Sequence, residues 1–259
     1  MLDSITPLIL TFNEAPNIER TLSRLRWAKD IVIVDSYSSD KTLELAKKIP
    51  QVRTFQNKFV THAGQWNFGL KETGISTEWV LALDADYVLS DEIIEELRTL
   101  NPVEDIDGFR AGFKYCIEGK PLRGSAYPPV IILYRREKAA YEQDGHTQRV
   151  QIGGKAAVLR SPVYHDDRKP LAHWLQSQIK YMKLESEKLS TTAFSRLGWT
   201  DMLRRLYVFA PFVMFFYCLF IKRAILDGKA GLFYTFQRTT AELILSLFLI
   251  YRSLIIFQT

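Results

Sequence analysis

Apolar residues fall along the N-terminal half of the chain in short unbroken runs, each ending in polar residues. Residues 7–12 (PLILTF) and 31–34 (IVIV) are the first two. Such runs predict buried parallel strands. Between them Ile18, Leu22 and Leu25 stand at helical spacing, behind Pro16, which suits the first turn of a helix. Ser39 or Asp40 can cap a second helix carrying Leu43, Leu45 and Ala46. Residues 52–55 predict a third strand, 62–73 a helix closed by Gly74, and 79–83 (WVLAL) a fourth strand, with Ser90 as cap of the helix after it. Strand and helix alternate four times, the pattern of a doubly wound parallel sheet.

After Gly108 the pattern changes. Residues 109–117, 130–134 and 156–159 predict strands, with Gly119-Lys120-Pro121 as a turn between the first two. Residues 171–189 predict an amphipathic helix with Leu171, Leu175, Ile179 and Met182 on one face. The last part is more apolar. Residues 206–221 form an almost unbroken apolar run of 16. As a helix it would span roughly 24 Å, short of the roughly 30 Å hydrocarbon core of a bilayer. A second apolar stretch, 243–251, is followed by Arg252 and by 254–257. Arg204 and Arg205 precede the first run, and Lys222 and Arg223 follow it. A spanning helix would leave one basic pair on the wrong side under the positive-inside rule. A helix lying in the membrane interface, or a re-entrant hairpin with both ends cytoplasmic, avoids that conflict. A buried helical hairpin in a soluble dimer is the alternative. The expected organisation is an α/β domain over 1–195 and a membrane-associated helical region over 196–259.

Composition agrees with that division. A chain of 259 residues, 47% hydrophobic and 24% charged, suffices for one large α/β domain and an appendage. The N-terminus has no basic n-region and is read as a core strand rather than a signal peptide. Cys116 and Cys218 lie in segments of different character, so no disulfide is expected, which fits a reducing compartment. From Arg196 onward, eight Lys or Arg face three acids, which accounts for the whole net charge of +5. Basic residues beside apolar segments point to anionic lipid headgroups. A nucleic-acid partner is not expected, because such a protein would carry its charge on the folded domain.

The candidate chemistry lies at the strand ends. Asp84-Ala85-Asp86 follows the fourth strand directly. Ligands bind open α/β sheets at the carboxyl ends of strands. Two carboxylates one residue apart at a bend can approach one site and suit Mg²⁺ or Mn²⁺. Solvated loop acids would look the same. Asp35-Ser36-Tyr37-Ser38-Ser39-Asp40 follows the second strand, where a nucleotide base and ribose would lie; helix capping by Ser39 or Asp40 is compatible with that role. Thr11-Phe12-Asn13-Glu14 follows the first. Three strand ends thus present polar side chains to one edge of the sheet. Of the histidines, His62 and His173 read as structural. His146 and His165 flank motif-like positions, and a structural role for His146 stays open.

The segments LILTFNEAPNIERTL, IVIVDSYSSDKTLELA and WVLALDADYVLSDE resemble the opening motifs of family 2 glycosyltransferases of the GT-A fold. Within that family the chain resembles bacterial enzymes that extend lipopolysaccharide cores or other lipid-linked glycans. Asp144-Gly145-His146-Thr147-Gln148-Arg149-Val150 and Val163-Tyr164-His165 resemble later landmarks. The resemblance implies a mixed α/β sheet, a nucleoside diphosphate sugar donor, a glycan or lipid-linked acceptor and bound Mg²⁺ or Mn²⁺; the basic, apolar tail adds the expectation of a place on the cytoplasmic face of the membrane. The resemblance implies nucleotide contacts at Thr11, Glu14 and Asp35, and Asn13, Ser39 and Asn67 are further candidate donor-binding residues. Asp84 would lie near ribose and metal, Asp86 would bind the metal, and His165 would complete the metal site. An inverting transfer needs a proton acceptor, for which Asp144 is the candidate among Glu118, Glu137, Glu142 and Asp144; His146 lies beside it. Gln65-Trp66-Asn67 stands where the family has an Ala-Arg-Asn-like element, so Lys58 or Arg149 would have to replace the arginine contact to phosphate. A nucleotidyltransferase and a catalytically inactive membrane scaffold of the same fold are the rival readings. The first would carry a Gly-rich, basic loop after strand one, and the second should have lost its carboxylates.

Overall fold

The computed structural model describes residues 1–144 and 147–256. The chain divides into two compact units, Met1–Pro121 with Tyr127–Lys169, and Leu122–Ala126 with Pro170–Thr259. The helix beginning at Leu171 thus belongs to the second unit, whereas the sequence division falls after residue 195.

The first unit is built on a seven-stranded sheet. Its parallel part comprises β1 (Ile5–Thr11), β2 (Ile31–Asp35), β3 (Val52–Gln56) and β4 (Trp79–Asp84), joined through α1 (Ile18–Ser23), α2 (Thr42–Ala46) and α3 (His62–Glu72). The period-two alternation of a strand sends neighbouring residues of each apolar run to opposite faces. Ile9, Ile31, Ile33, Trp79, Leu81 and Leu83 face one core, shared with Ile18 and Leu22 of α1. Leu8, Val32, Val34, Val80 and Ala82 face the other, covered by Ala63, Trp66 and Leu70 of α3. That is why these strands read as continuous apolar runs. Thr61 caps α3 by accepting from Gly64 N, and Gly74 at φ 66° follows its C-cap.

Beyond β4 the chain runs through β5 (Tyr87–Val88) and α4 (Asp91–Thr99), capped as expected by Ser90, to β6 (Ile106–Ala111), β7 (Phe113–Ile117), β8 (Lys120–Pro121) and β9 (Val130–Arg135). β9 lies between β4 and β6 and is antiparallel to both, so the sheet is mixed rather than all parallel. A parallel return needs a long crossover, usually a helix. None separates β7 from β9. The single strand expected over 109–117 breaks at Gly112. Its first half stays in the main sheet, and its second joins a small sheet ordered β5, β13 (Val163–His165), β7, β8. The turn from β7 to β8 is the pair Glu118-Gly119, at φ 48° and 77°. This is the mirror-image geometry that matches strand twist in a two-residue hairpin. An unexpected hairpin, β10 (Ala139–Asp144) with β11 (Thr147–Ile152), follows β9, and β12 (Lys155–Val158) then pairs parallel to β6 at the sheet edge.

The second unit contains α5 (Leu171–Thr191), α6 (Trp199–Arg204), α7 (Phe209–Phe216) and α8 (Gly228–Ile256). Met182 and Leu189 of α5 pack with Leu245 and Leu249 of α8. The expected apolar face of α5 is corrected in part, since Leu171, Leu175 and Ile179 are exposed. The apolar run at 206–221 forms α7 and a π-helical turn, Tyr217–Ile221. At Arg223, in the left-handed region at φ 58°, the helical path turns. No single described helix is long and apolar enough to cross a membrane; Phe209–Ile221 and Ala224–Ile255 make a pair bent by 64°. α8 starts well before the apolar stretch 243–251 that announced it. At Gly231 it passes so close to the Ala224 carbonyl that a Cβ would collide with that oxygen.

Candidate functional site

β1, β2 and β4 end side by side, with Thr11 opposite Asp35 and Leu10 opposite Asp84. The buried carboxylate of Asp35 organises the first two loops. It accepts hydrogen bonds from Thr11 Oγ1 at 2.9 Å, from Ser38 Oγ at 2.5 Å and from Ser38 N at 2.8 Å. Ser38 Oγ accepts from Asn13 N at 2.8 Å, and Asn13 Oδ1 accepts from Ser39 N at 2.8 Å. Asn13 and Tyr37 hold positive φ, 55° and 60°. Asparagine tolerates that region, whereas for a tyrosine it stores strain that the surrounding bonds must hold. The rings of Phe12 and Tyr37 are exposed on these loops.

Glu14 ties the first loop to the end of the unit. Its carboxylate accepts from Asn17 Nδ2 at 2.8 Å and from Lys169 Nζ at 2.6 Å, and Asn17 Nδ2 also donates to Asp167 Oδ1 at 2.9 Å. Burial, only partly offset by the Lys169 ammonium, pushes Glu14 up to about 7. Burial acts against charge on Lys169 as well, but Glu14, Asp86 and Asp167 outweigh it and raise its pKa, so the ammonium persists.

Asp84 is the last residue of β4, and Asp86 sits in the bend before β5. The Asp86 carbonyl accepts from Asp166 N at 3.0 Å, and β13 pairs His165 with Tyr87. These bonds bring His165 Nε2 to 3.2 Å from Asp86 Oδ2. Burial and the like charge of Asp86 push Asp84 up to about 6. For Asp86, burial is outweighed by the charge and hydrogen bond of His165 and by Lys169, which hold it down at about 2. Burial would lower His165, yet Asp86 raises it. Its ring packs against Tyr87, Tyr115 and Tyr127 at centroid distances of 5.3, 4.7 and 4.9 Å, and the hydroxyls of Tyr87 and Tyr127 are hydrogen-bonded at 2.6 Å.

This donor set fits a hard divalent cation. Asp86 Oδ1 and His165 Nδ1 are buried with no hydrogen-bond partner, a costly arrangement in a neutral pocket and a useful one for a ligand. Among the described residues no three His, Cys, Asp or Glu side chains converge as a ready-made metal site. The expected trio of Asp84, Asp86 and His165 is therefore not preassembled, and a cation there would need phosphate oxygens to complete its coordination.

Both ends of the Asn67 amide are committed to the Tyr141 backbone, at 2.9 Å each, so a donor contact would require it to release the β10 hairpin. Asp144, at the end of β10, is paired with Arg149 at 2.6 Å. His146 lies outside the described residues. Lys58 is exposed, and Arg149 is largely so. The cation that does stand among the site's carboxylates is Lys169. It belongs to a charged run, Asp166-Asp167-Arg168-Lys169, directly after His165, and that run was the sequence signal for it. Asn17, Tyr87 and Tyr127 carried no comparable signal, whereas Ser38 lies in the run 35–40 singled out in the sequence.

The chain can now be set beside known proteins. It is 32% identical over 176 residues to an uncharacterized glycosyltransferase of Rickettsia bellii, covering 62% of this chain and 59% of that protein. Over 101 residues it is 35% identical to the poly-beta-1,6-N-acetyl-D-glucosamine synthase of Staphylococcus aureus, 35% of this chain and 24% of that one. The chain thus spans about three-fifths of the Rickettsia relative and a quarter of the synthase. Among solved structures it is similar to the mannosyltransferase PcManGT of Pyrobaculum calidifontis, in complex with GDP-Man and Mn²⁺, with a TM-score of 0.54 and 15% identity over 98% of this chain and 88% of that one. Residues 1–349 of S. aureus TarS give a TM-score of 0.50 at 14% identity, over 96% of this chain and 91% of that one. These likenesses show a shared fold. Residues 8–167, well over half of the chain, match the family described as glycosyl transferase family 2, and to that family the chain belongs.

Proposed function

We propose that the chain transfers a sugar from a nucleoside diphosphate sugar to a hydroxyl of a glycan or lipid-linked acceptor, with inversion at the anomeric carbon and with Mg²⁺ or Mn²⁺ held by Asp84, Asp86 and His165. The observation that carries this reading is the buried, unpartnered Asp86 oxygen beside Asp84 and His165, at the ends of the parallel strands. A divalent cation there supplies Lewis acidity that stabilises the departing diphosphate. The chain's own residues do the remaining work. The Asp35–Thr11–Ser38–Asn13 lattice fixes the two loops on which base and ribose are held. Lys169 adds a permanent positive charge next to Glu14 and the metal carboxylates. Asp144 takes the proton of the acceptor hydroxyl. The nucleotide sugars in complex with similar proteins, GDP-Man with PcManGT and UDP-GlcNAc with TarS, support a donor of this class.

Mixing the protein with a panel of nucleoside diphosphate sugars, with and without Mn²⁺, tests the proposal. At least one donor should raise the melting temperature and release nucleoside diphosphate only when the cation is present. Equal release in excess EDTA would overturn it.

Residues 196–259 are proposed to hold the protein at the cytoplasmic face of a membrane. Phe209, Phe212, Phe216, Phe220 and Phe236 are exposed in a segment that also carries the whole basic surplus. Full-length protein should sediment with phospholipid vesicles. If it stays in the supernatant, this placement is wrong.

A further inference from the structure

The two segments that carry Asp86 and His165 meet through very little sheet. β5 has two residues and β13 three, and only Val88 with Tyr164 and Tyr87 with His165 are paired between them. β13 has a second neighbour in β7, but β5 is the edge of that small sheet. A ladder this short holds its register weakly, and a slip of one residue would turn His165 to the opposite face. Something besides the sheet must fix the separation of the two side chains.

α1 supplies it. Ile18 and Leu22 of this helix, with Leu25 beyond its end, lie in the core. Beside them runs a polar stripe at helical spacing, Asn17, Arg20, Thr21 and Arg24, and each of the four binds the backbone of one of the two segments. The buried Thr21 Oγ1 donates to the carbonyl of Ala85, between the two aspartates, at 2.6 Å. Arg24 Nε donates to the Leu89 carbonyl, just past β5, at 2.7 Å. Arg20 Nη2 donates to the carbonyl of Asp166, the neighbour of His165, at 2.9 Å, and Asn17 Oδ1 accepts from Arg168 N at 2.9 Å. Arg20 Nη1 also pairs with the Asp166 carboxylate at 2.5 Å, while the Asp166 N–H holds the Asp86 carbonyl. One helix face thus grips the bend of Asp86 and the strand end of His165 together.

We infer that α1 is a splint for the cation site, with Thr21 and Arg20 as positioning residues that set Asp86 against His165. The inference rests on the reading that these side chains hold Mg²⁺ or Mn²⁺, and goes beyond it by assigning the residues that fix their geometry. Partners behind the ligands of a metal typically contribute about 10–100-fold to its affinity. Binding of Mn²⁺ to the full-length protein, with UDP or GDP present to complete the coordination, is read without turnover by calorimetry and by the paramagnetic resonance of free Mn²⁺. Thr21→Val keeps the shape, removes the hydroxyl donor and should weaken Mn²⁺ about tenfold; Thr21→Ser should recover most of the loss. Arg20→Gln, at a side chain 26% exposed and so compatible with folding, should weaken Mn²⁺ similarly, and Arg20→Lys less. Arg53→Met is the control. It breaks the pair with Asp30 near the opposite ends of the parallel strands, and should lower the melting temperature with Mn²⁺ affinity unchanged. If Thr21→Val does not fold, the two Arg20 variants carry the comparison. If the folded variants bind Mn²⁺ like wild type, or if Arg53→Met weakens it as much, α1 serves stability alone and the splint is wrong although the metal reading stands. If wild type binds no Mn²⁺ with either nucleotide, the metal reading falls and the splint with it.

Discussion

At the scale of single residues, the site turns on which oxygen atoms are already spoken for. Asp35 is saturated by Thr11 and Ser38, so it organises its loops, whereas Asp86 keeps one buried oxygen unpartnered. Asp86→Asn should therefore keep the fold, at some loss of melting temperature because the charge paired with His165 is gone, while lowering donor turnover by more than about 100-fold, beyond the range typical for partners that merely support a metal ligand. Steady-state rates with saturating Mn²⁺ are the measurement, and near wild-type turnover would remove Asp86 from the metal site. Asp144→Asn should behave differently, keeping calorimetric donor affinity and losing transfer to acceptor, because only the proton acceptor is taken away. The sequence showed Asp84 and Asp86 because polar residues at a strand end stand out against an apolar run, whereas His165 was visible only through the family resemblance. It did not show Asn17, a buried asparagine that bonds Glu14, Asp167 and Arg20, because nothing in its local pattern sets it apart from the apolar spacing of the helix it precedes.

At the scale of elements, legibility followed burial. The four parallel strands are covered on both faces and announced themselves as runs of Ile, Val and Leu. In the hairpin of β10 and β11, Tyr141 is buried and Ala139, Val150 and Ile152 are packed on the core only in part, between Glu, Gln and Arg, so it carried too weak a period to be read. α8 shows the same effect in a helix: only its apolar end was visible, while the more polar stretch around Gln237 and Arg238 carried no assigned element. Its stability has a particular dependence. Arg204 and Glu242 form a largely buried, forked ion pair among Leu, Phe and Met side chains. Arg204→Met strands the Glu242 carboxylate and should cost about 3–5 kcal/mol, whereas the double change Arg204→Met with Glu242→Leu should recover part of the loss, since buried Glu185, 3.8 Å from the same guanidinium, loses that neighbour in both variants. Urea unfolding of the two variants decides the matter. If the double variant is no more stable than the single one, the stranded charge is not the cause.

At the scale of the whole molecule, the site sets a pH dependence. Glu14 is raised to about 7 and Asp84 to about 6, and His165 is raised as well. Each binds more protons folded than unfolded between its unfolded and folded pKa. All three therefore stabilise on the acid side, and that contribution is lost as pH rises through the folded values. Asp86, held at about 2, completes its own stabilising contribution below this window and does not reverse the trend. The cation-free protein should lose melting temperature between about pH 5 and pH 8, at roughly 2–4 °C per kcal/mol. Mn²⁺ should restore more at the alkaline end, where protons no longer compete for Asp84. Asp84→Asn should flatten the profile. A melting temperature that climbs across this range in EDTA would contradict the assignment.

The meeting of Asp86 with His165 also has a temporal consequence. The two residues lie on β-structure made far apart in the chain, and β13 joins β5 and β7 only after the hairpin of β10 and β11 has been passed. The first four strands can pair as soon as they exist, but the pocket has no histidine until the last strand of its small sheet docks. Capture of the proposed cation would then mark the end of folding rather than its beginning. In a refolding jump, the paramagnetic signal of bound Mn²⁺ should trail the recovery of far-ultraviolet ellipticity. Simultaneous arrival would mean that β13 docks along with the opening strands.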